Sequence, residues 1–187
     1  MRAGAAADPE RTLATFRAGR ERLVRGHPDS PIAPDRRASF AGLDHWPYDP
    51  AVRFEAVVEP AEPERLVALS LDGDPYPLDR IGRVHLPLGR LDVYWIRVYG
   101  GGVFIPFRDA TSGTDSYGAG RYLIDTVKGA DLGGSGDRLV LDFNYAYNPS
   151  CAYDPRWSCP LAPAANWLTV PVRAGERYDH GPQPAAQ

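Results

Sequence analysis

The chain has little of what marks a nucleic-acid binder, a membrane span or a metal enzyme. Its 187 residues include one lysine (Lys128), two cysteines, one methionine and four histidines. A phosphate backbone is held by a basic footprint. Here 21 Lys and Arg face 24 Asp and Glu, the net charge is -3, and no basic cluster occurs, so nucleic acid is not an expected partner. No apolar run approaches the roughly 18 residues of a spanning helix. The opening residues MRAGAAADPERTL lack the apolar core of a signal peptide. The expectation is a cytoplasmic protein without membrane contact.

Metal and cofactor patterns are equally sparse. His27, His45, His85 and His180 include no His-x-His or His-x-x-x-His pair. Cys151 and Cys159 sit in a segment with Pro149, Pro155 and Pro160. Two thiols fall short of a four-ligand zinc set, so reduced structural thiols are the first reading, with a disulfide or a reactive or metal-binding pair as alternatives. No Gly-Lys-Ser/Thr phosphate loop is present. Gly100-Gly101-Gly102 separates two strand-like runs and does not open a helix, so no dinucleotide fingerprint exists. No cofactor or metal is expected.

What remains is a globular chain with 43% apolar residues, enough for one core. Residues 8–25 read as a helix, with Asp8 as N-cap, Pro9 at the first helical position and Gly26 as terminator. Leu13, Phe16, Arg20, Leu23 and Val24 recur at helical spacing. Arg17, Arg20, Arg22 and Arg25 read as a solvated face balanced by Glu10 and Glu21. Residues 27–50 form a proline-rich connector whose Phe40, Trp46 and Tyr48 argue for order. Strands are expected at 51–59, 64–72, 80–87, 91–99, 102–107, 120–127, 138–145 and 167–173. Turns fall at Asp72-Gly73-Asp74-Pro75, at the triple glycine and at Gly133-Gly134-Ser135-Gly136. Leu139, Leu141 and Phe143 share one strand face. The fold class predicted is mainly β, an antiparallel β-sandwich or partly open β-barrel with an N-terminal α-helix. Residues 1–7 read as a flexible N-terminus, 8–177 as one domain and 178–187 as a disordered tail.

A dense polar and aromatic block occupies the C-terminal half, FRDATSGTDSYGAGRY (107–122) and LDFNYAYNPSCAYDPRWSCPLAPAANWLTVPVRAGE (141–176). Buried polar groups need partners, so such a block is either a hydrogen-bonded scaffold or a site. With SPI (30–32) and FAGLDHWPYDP (40–50), these motifs resemble the bacterial family catalogued as domain-of-unknown-function family 1684, over about residues 16–176. Asp115-Ser116-Tyr117 stands where the family favours Glu-Thr-Tyr, a change that keeps chemical type. The resemblance implies no reaction and transfers no catalytic residue.

Within the block, Asp109 and Arg121 can pair across a hairpin loop, either to bind a substrate anion or to close the loop. Thr111, Ser112 and Gly113 can present backbone N–H groups as an anion nest. The flanks of Ser112 do not form the Gly-x-Ser-x-Gly elbow, which argues against a serine nucleophile. Tyr117, Tyr122, Tyr145 and Tyr147 suit a pocket or strand packing. Asn144 and Asn148 suit a ligand or a turn.

The leading expectation is a small-molecule enzyme using acid–base chemistry, by isomerisation, elimination, cyclisation or hydrolysis. Asp109, Tyr117 and Arg121 would be catalytic, and Ser112, Asn144, Tyr145 and Asn148 would bind a polar or anionic substrate. The alternatives are a non-catalytic small-molecule-binding module, a metal-dependent enzyme using Cys151, Cys159 and a histidine or carboxylate, and a purely structural protein. A homodimer is compatible with each.

Overall fold

A computed structural model describes residues 7–98 and 100–178 of the chain. Helix α1 spans Pro9–Gly26. The Asp8 carboxylate accepts the Arg11 N–H at 3.0 Å, and Pro9 begins the helix where no donor is needed. The His27 N–H closes the last turn on the Leu23 carbonyl at 3.0 Å. Leu13 and Val24 are buried, and Phe16 packs on the Tyr145 ring at 5.1 Å. Leu23, part of the expected apolar stripe, is 53% exposed.

Strands β1 (Arg53–Val57), β2 (Glu64–Leu69), β3 (Pro75–Leu86), β4 (Gly89–Ile96), β5 (Gly102–Phe107), β6 (Arg121–Asp125), β7 (Gly134–Ser135) and β8 (Arg138–Asp142) build two antiparallel sheets. One sheet has the order β2-β3-β4-β5-β6 and the other β1-β8-β7. The main core lies between them. Val84, Leu91, Val93, Ile105 and Phe107 of the larger sheet meet Ala56, Leu141 and Phe143 from the smaller side. The mainly β fold with its N-terminal helix is therefore as expected, and these strands do not close a barrel. The turns at Asp72–Pro75 and Gly100–Gly102 join the hairpins β2/β3 and β4/β5.

Three local expectations are corrected. The strand expected at 138–145 stops at Asp142, whose carboxylate accepts the Asn144 N–H at 3.0 Å and turns 143–145 into a short 3-10 helix. The glycine-rich turn before it contains β7, which pairs with β8. The strand expected at 167–173 does not form, since Pro171 has no N–H to offer a ladder. That segment runs irregularly beside 108–110, through bonds from the Arg108 N–H to the Asn166 carbonyl (3.0 Å), Leu168 N–H to Arg108 (2.8 Å) and Ala110 N–H to Val170 (3.2 Å).

The connector 27–50 is ordered against the C-terminal segment. His45 and Glu176 form an antiparallel bridge. It is flanked by bonds from the Trp46 N–H to the Gly175 carbonyl (3.0 Å) and from Arg177 N–H to Asp44 (2.9 Å). Of the expected tail, Tyr178 bonds the Asp115 carbonyl through its N–H at 3.2 Å and packs on Tyr117. Residues 179–187, His180 among them, and residues 1–6 lie outside the described residues.

Gly175 fixes this junction. Its φ is +76°, and a Cβ would stand 2.5 Å from the Ala146 carbonyl oxygen and 2.7 Å from that of Phe143. Gly175→Ala is expected to destabilise the fold by more than about 1 kcal/mol, read as a lowered urea midpoint at unchanged slope. A variant as stable as the parent would contradict this packing.

Candidate functional site

The pairing of Phe107 with Arg121 across β5 and β6 sets Arg121 at the base of the loop that carries Asp109. The two side chains are fully buried and meet at 3.2 Å. Arg121 Nη1 donates to the carbonyls of Ala174 (2.5 Å) and Glu176 (3.2 Å), and Nη2 donates to Asp109 and to the Val172 carbonyl (2.9 Å). Its guanidinium lies between the Trp46 and Phe107 rings, 5.0 and 5.1 Å from their centroids. Burial pulls the guanidinium below its usual pKa, against the opposing pull of Asp109. Asp109 also accepts the Thr111 hydroxyl (2.9 Å) and the Val172 N–H (2.6 Å). Ser112 belongs to the same loop, where its hydroxyl accepts the Asp109 N–H at 3.2 Å. Asp109, Ser112 and Arg121 thus come together, with their polar groups turned on each other and on the C-terminal backbone.

Tyr117 lies in a separate cluster with Cys151, Cys159 and Tyr153. Its hydroxyl donates to the Cys151 carbonyl at 3.3 Å, and burial pushes its pKa far above the usual phenol value. Asn144 staples the connector to the end of β8. Its Oδ1 accepts the Asp49 N–H (2.9 Å) while its Nδ2 donates to the carbonyl of Asp49 (2.7 Å) and to the Asp142 carboxylate (2.8 Å). Tyr145 stacks on Phe16 and borders a small cavity shared with Asp142 and Leu132. Burial raises its phenol to about 12.

Asn148 stands apart from the others. It lines a groove of about 800 Å³ between α1 and the 128–130 and 147–157 segments. Phe16, Leu23, Tyr147 and Trp157 supply apolar and aromatic wall, and Arg20 lies beside Asn148. Neither Asp109, Tyr117 nor Arg121 lines this groove or the small cavity. The Arg20 guanidinium sits 4.4 Å over the Tyr147 ring. It donates to the Glu176 carboxylate (2.7 Å) and to the Asn148 carbonyl (2.7 Å). Asn148 Nδ2 donates to Glu176 (3.2 Å) and to the Arg177 carbonyl (2.7 Å). Asn148 Oδ1, fully buried, has no partner among the described residues. The Tyr147 hydroxyl extends the network to Asp125 at 3.1 Å.

Of the expected site residues Asn148 lines the larger groove, and sequence reasoning left Arg20, Glu176 and Lys128 out. Arg20 carried a usable signal, because it falls within the apolar stripe of the helix. It is 17% exposed, and Arg17 donates to the Trp46 carbonyl at 3.0 Å, so these two face inward instead of joining a solvated run. Glu176 is fully buried, and its partner Arg20, 156 positions away, explains why. Among the described residues, no three His, Cys, Asp or Glu side chains gather so as to hold a metal ion. No described helix is long and apolar enough to cross a membrane.

These features define a two-sheet antiparallel β protein whose N-terminal helix roofs a groove over a buried ionic network. The chain belongs to the family described as protein of unknown function (DUF1684), whose model matches residues 38–177. It is similar to the solution structure of an uncharacterized protein from gene locus rrnAC0354 of Haloarcula marismortui. That similarity has 38% identity, covers 92% of this chain and 95% of that one, and has a TM-score of 0.64. No curated protein matches the chain.

Two outcomes follow. Asp109→Asn leaves the Arg121 charge buried without its counter-ion, and a loss of about 3–5 kcal/mol is expected in chemical denaturation. A loss below about 1 kcal/mol would remove the pair from its structural role. His45, held below the usual imidazole value of 6.5 by burial, resists protonation in the folded state while the unfolded chain takes the proton. Its stabilising contribution is therefore present above pH 6.5 and falls away below it. His45→Gln should flatten the decline of stability on that acid side, measured as thermal midpoint against pH.

Proposed function

We propose that the protein binds a small molecule in the groove beneath α1, and that binding, not proton transfer, is its primary chemistry. The observation that carries this reading is the groove itself, whose wall joins the apolar and aromatic side chains of Phe16, Leu23, Tyr147 and Trp157 to the polar Asn148. Arg20 adds a cation beside it, fixed in place by Glu176 and the Asn148 carbonyl. A volume of about 800 Å³ suits a drug-sized ligand. The ligand class is a molecule with an apolar, ring-sized body and a polar group that both donates and accepts hydrogen bonds.

Acid–base catalysis by Asp109, Tyr117 and Arg121 is less well supported. Asp109 and both Arg121 Nη groups are held by internal partners, and the Tyr117 phenol is held protonated by burial. Binding at Asn148 needs none of these groups to change partners.

Anilinonaphthalene sulfonate is a suitable probe, since it joins fused rings to one N–H and one anionic acceptor. Gly19 lines the groove, and a Cβ there meets nothing closer than 3.9 Å, so Gly19→Leu fills space without disturbing the fold. One-site binding by the parent chain and at least about tenfold weaker binding by Gly19→Leu are expected in a fluorescence titration. Equal affinity in the two proteins, or no binding to the parent, would overturn the reading.

A further inference from the structure

Outside the groove, one cluster of reactive side chains serves no role described so far. Cys151 and Cys159 are both free and both buried. The 149–160 segment folds back on itself through a 3-10 turn at Ser150–Ala152 and bonds from the Trp157 N–H to the Asp154 carbonyl and from Tyr153 N–H to Ser150. This brings Cys159 Sγ to 3.4 Å from the Cys151 nitrogen, whose N–H it accepts. Tyr117 Oη stands 3.7 Å from Cys151 Sγ on the other side.

We propose that Cys151 and Cys159 are a peroxide-reactive dithiol that closes to an intramolecular disulfide, with Cys159 as the attacking sulfur and Cys151 as the resolving one. The contacts assign these roles. Cys159 Sγ accepts the Cys151 backbone N–H, which favours its thiolate. Interaction with Cys151 holds Cys159 below the usual thiol value, whereas the Cys151 thiol is pushed upward. Ser150 and Trp157, within the same segment, line the groove.

The electron balance is complete with a hydroperoxide as oxidant. The Cys159 thiolate attacks one peroxide oxygen, the O–O bond breaks, and the departing oxygen takes a proton to leave as water or an alcohol. Cys159 becomes a sulfenic acid. The Cys151 sulfur then attacks the Cys159 sulfur. An S–S bond forms, and the sulfenic hydroxyl leaves as water with the Cys151 proton.

The test treats the reduced full-length protein with hydrogen peroxide, quenches with catalase, denatures, and counts thiols with a maleimide alongside intact mass. The expected result is joint loss of both thiols with the loss of two hydrogens in mass, reversed by dithiothreitol. Cys151→Ser should stop at a sulfenic acid on Cys159 that dimedone captures, and Cys159→Ser should react at least about tenfold more slowly. Retention of both thiols in the parent chain, oxygen addition without a disulfide, or equal rates in the two variants would each overturn the proposal. The groove ligand enters none of these readouts, so the proposal and the binding reading fail separately.

Discussion

A guanidinium with no exposed surface must find protein partners for its N–H groups, and Arg121 makes that demand at the end of β6. It is met largely by main-chain carbonyls, those of Val172, Ala174 and Glu176. The irregular C-terminal segment is therefore held to the larger sheet by one side chain acting where a strand ladder would otherwise act. Asp109 neutralises the charge and accepts the Val172 N–H, so one ion pair serves both strands of polar groups. Removing surrounding water makes each of these bonds matter more than its surface equivalent, and makes an incomplete set costly.

The same device recurs with neutral amides. Asn166 accepts the Asp92 N–H and donates to the carbonyls of Asp92 and Pro106, standing in for a neighbouring strand at β4 and β5. Asn144 does this for the connector at Asp49. Much of the polar density in the C-terminal half is thus a substitute for regular structure, needed because Pro149, Pro155, Pro160, Pro163 and Pro171 deny it a continuous ladder. Among the described residues Asn148 is the amide whose acceptor is left over, as the Tyr145 hydroxyl is in the same motif.

Local pattern revealed the fold better than the site. Helix capping at Asp8 and Pro9, glycine turns, and the Leu139-Leu141-Phe143 alternation are short-range signals, and each corresponds to an element of the structure. The segment 167–173 misled because apolar residues alternate there while Pro171 removes a needed donor. The polar motifs could be located but not sorted, since the sequence does not say which groups find partners. Arg20 and Glu176 acquire meaning only as a pair. The arginines of α1 read together as one solvated face, although helical spacing already sets Arg20 within the apolar stripe.

The Arg20–Glu176 contact also constrains the order in which the molecule can be assembled. Loop closure over 156 positions comes late for a chain made from its N-terminus. Until Glu176 has left the ribosome, α1 lacks that carboxylate, and the Asp44–Trp46 backbone lacks the segment that pairs with it. The Arg20 guanidinium that borders the groove is thus fixed by Glu176 only after synthesis has passed residue 176.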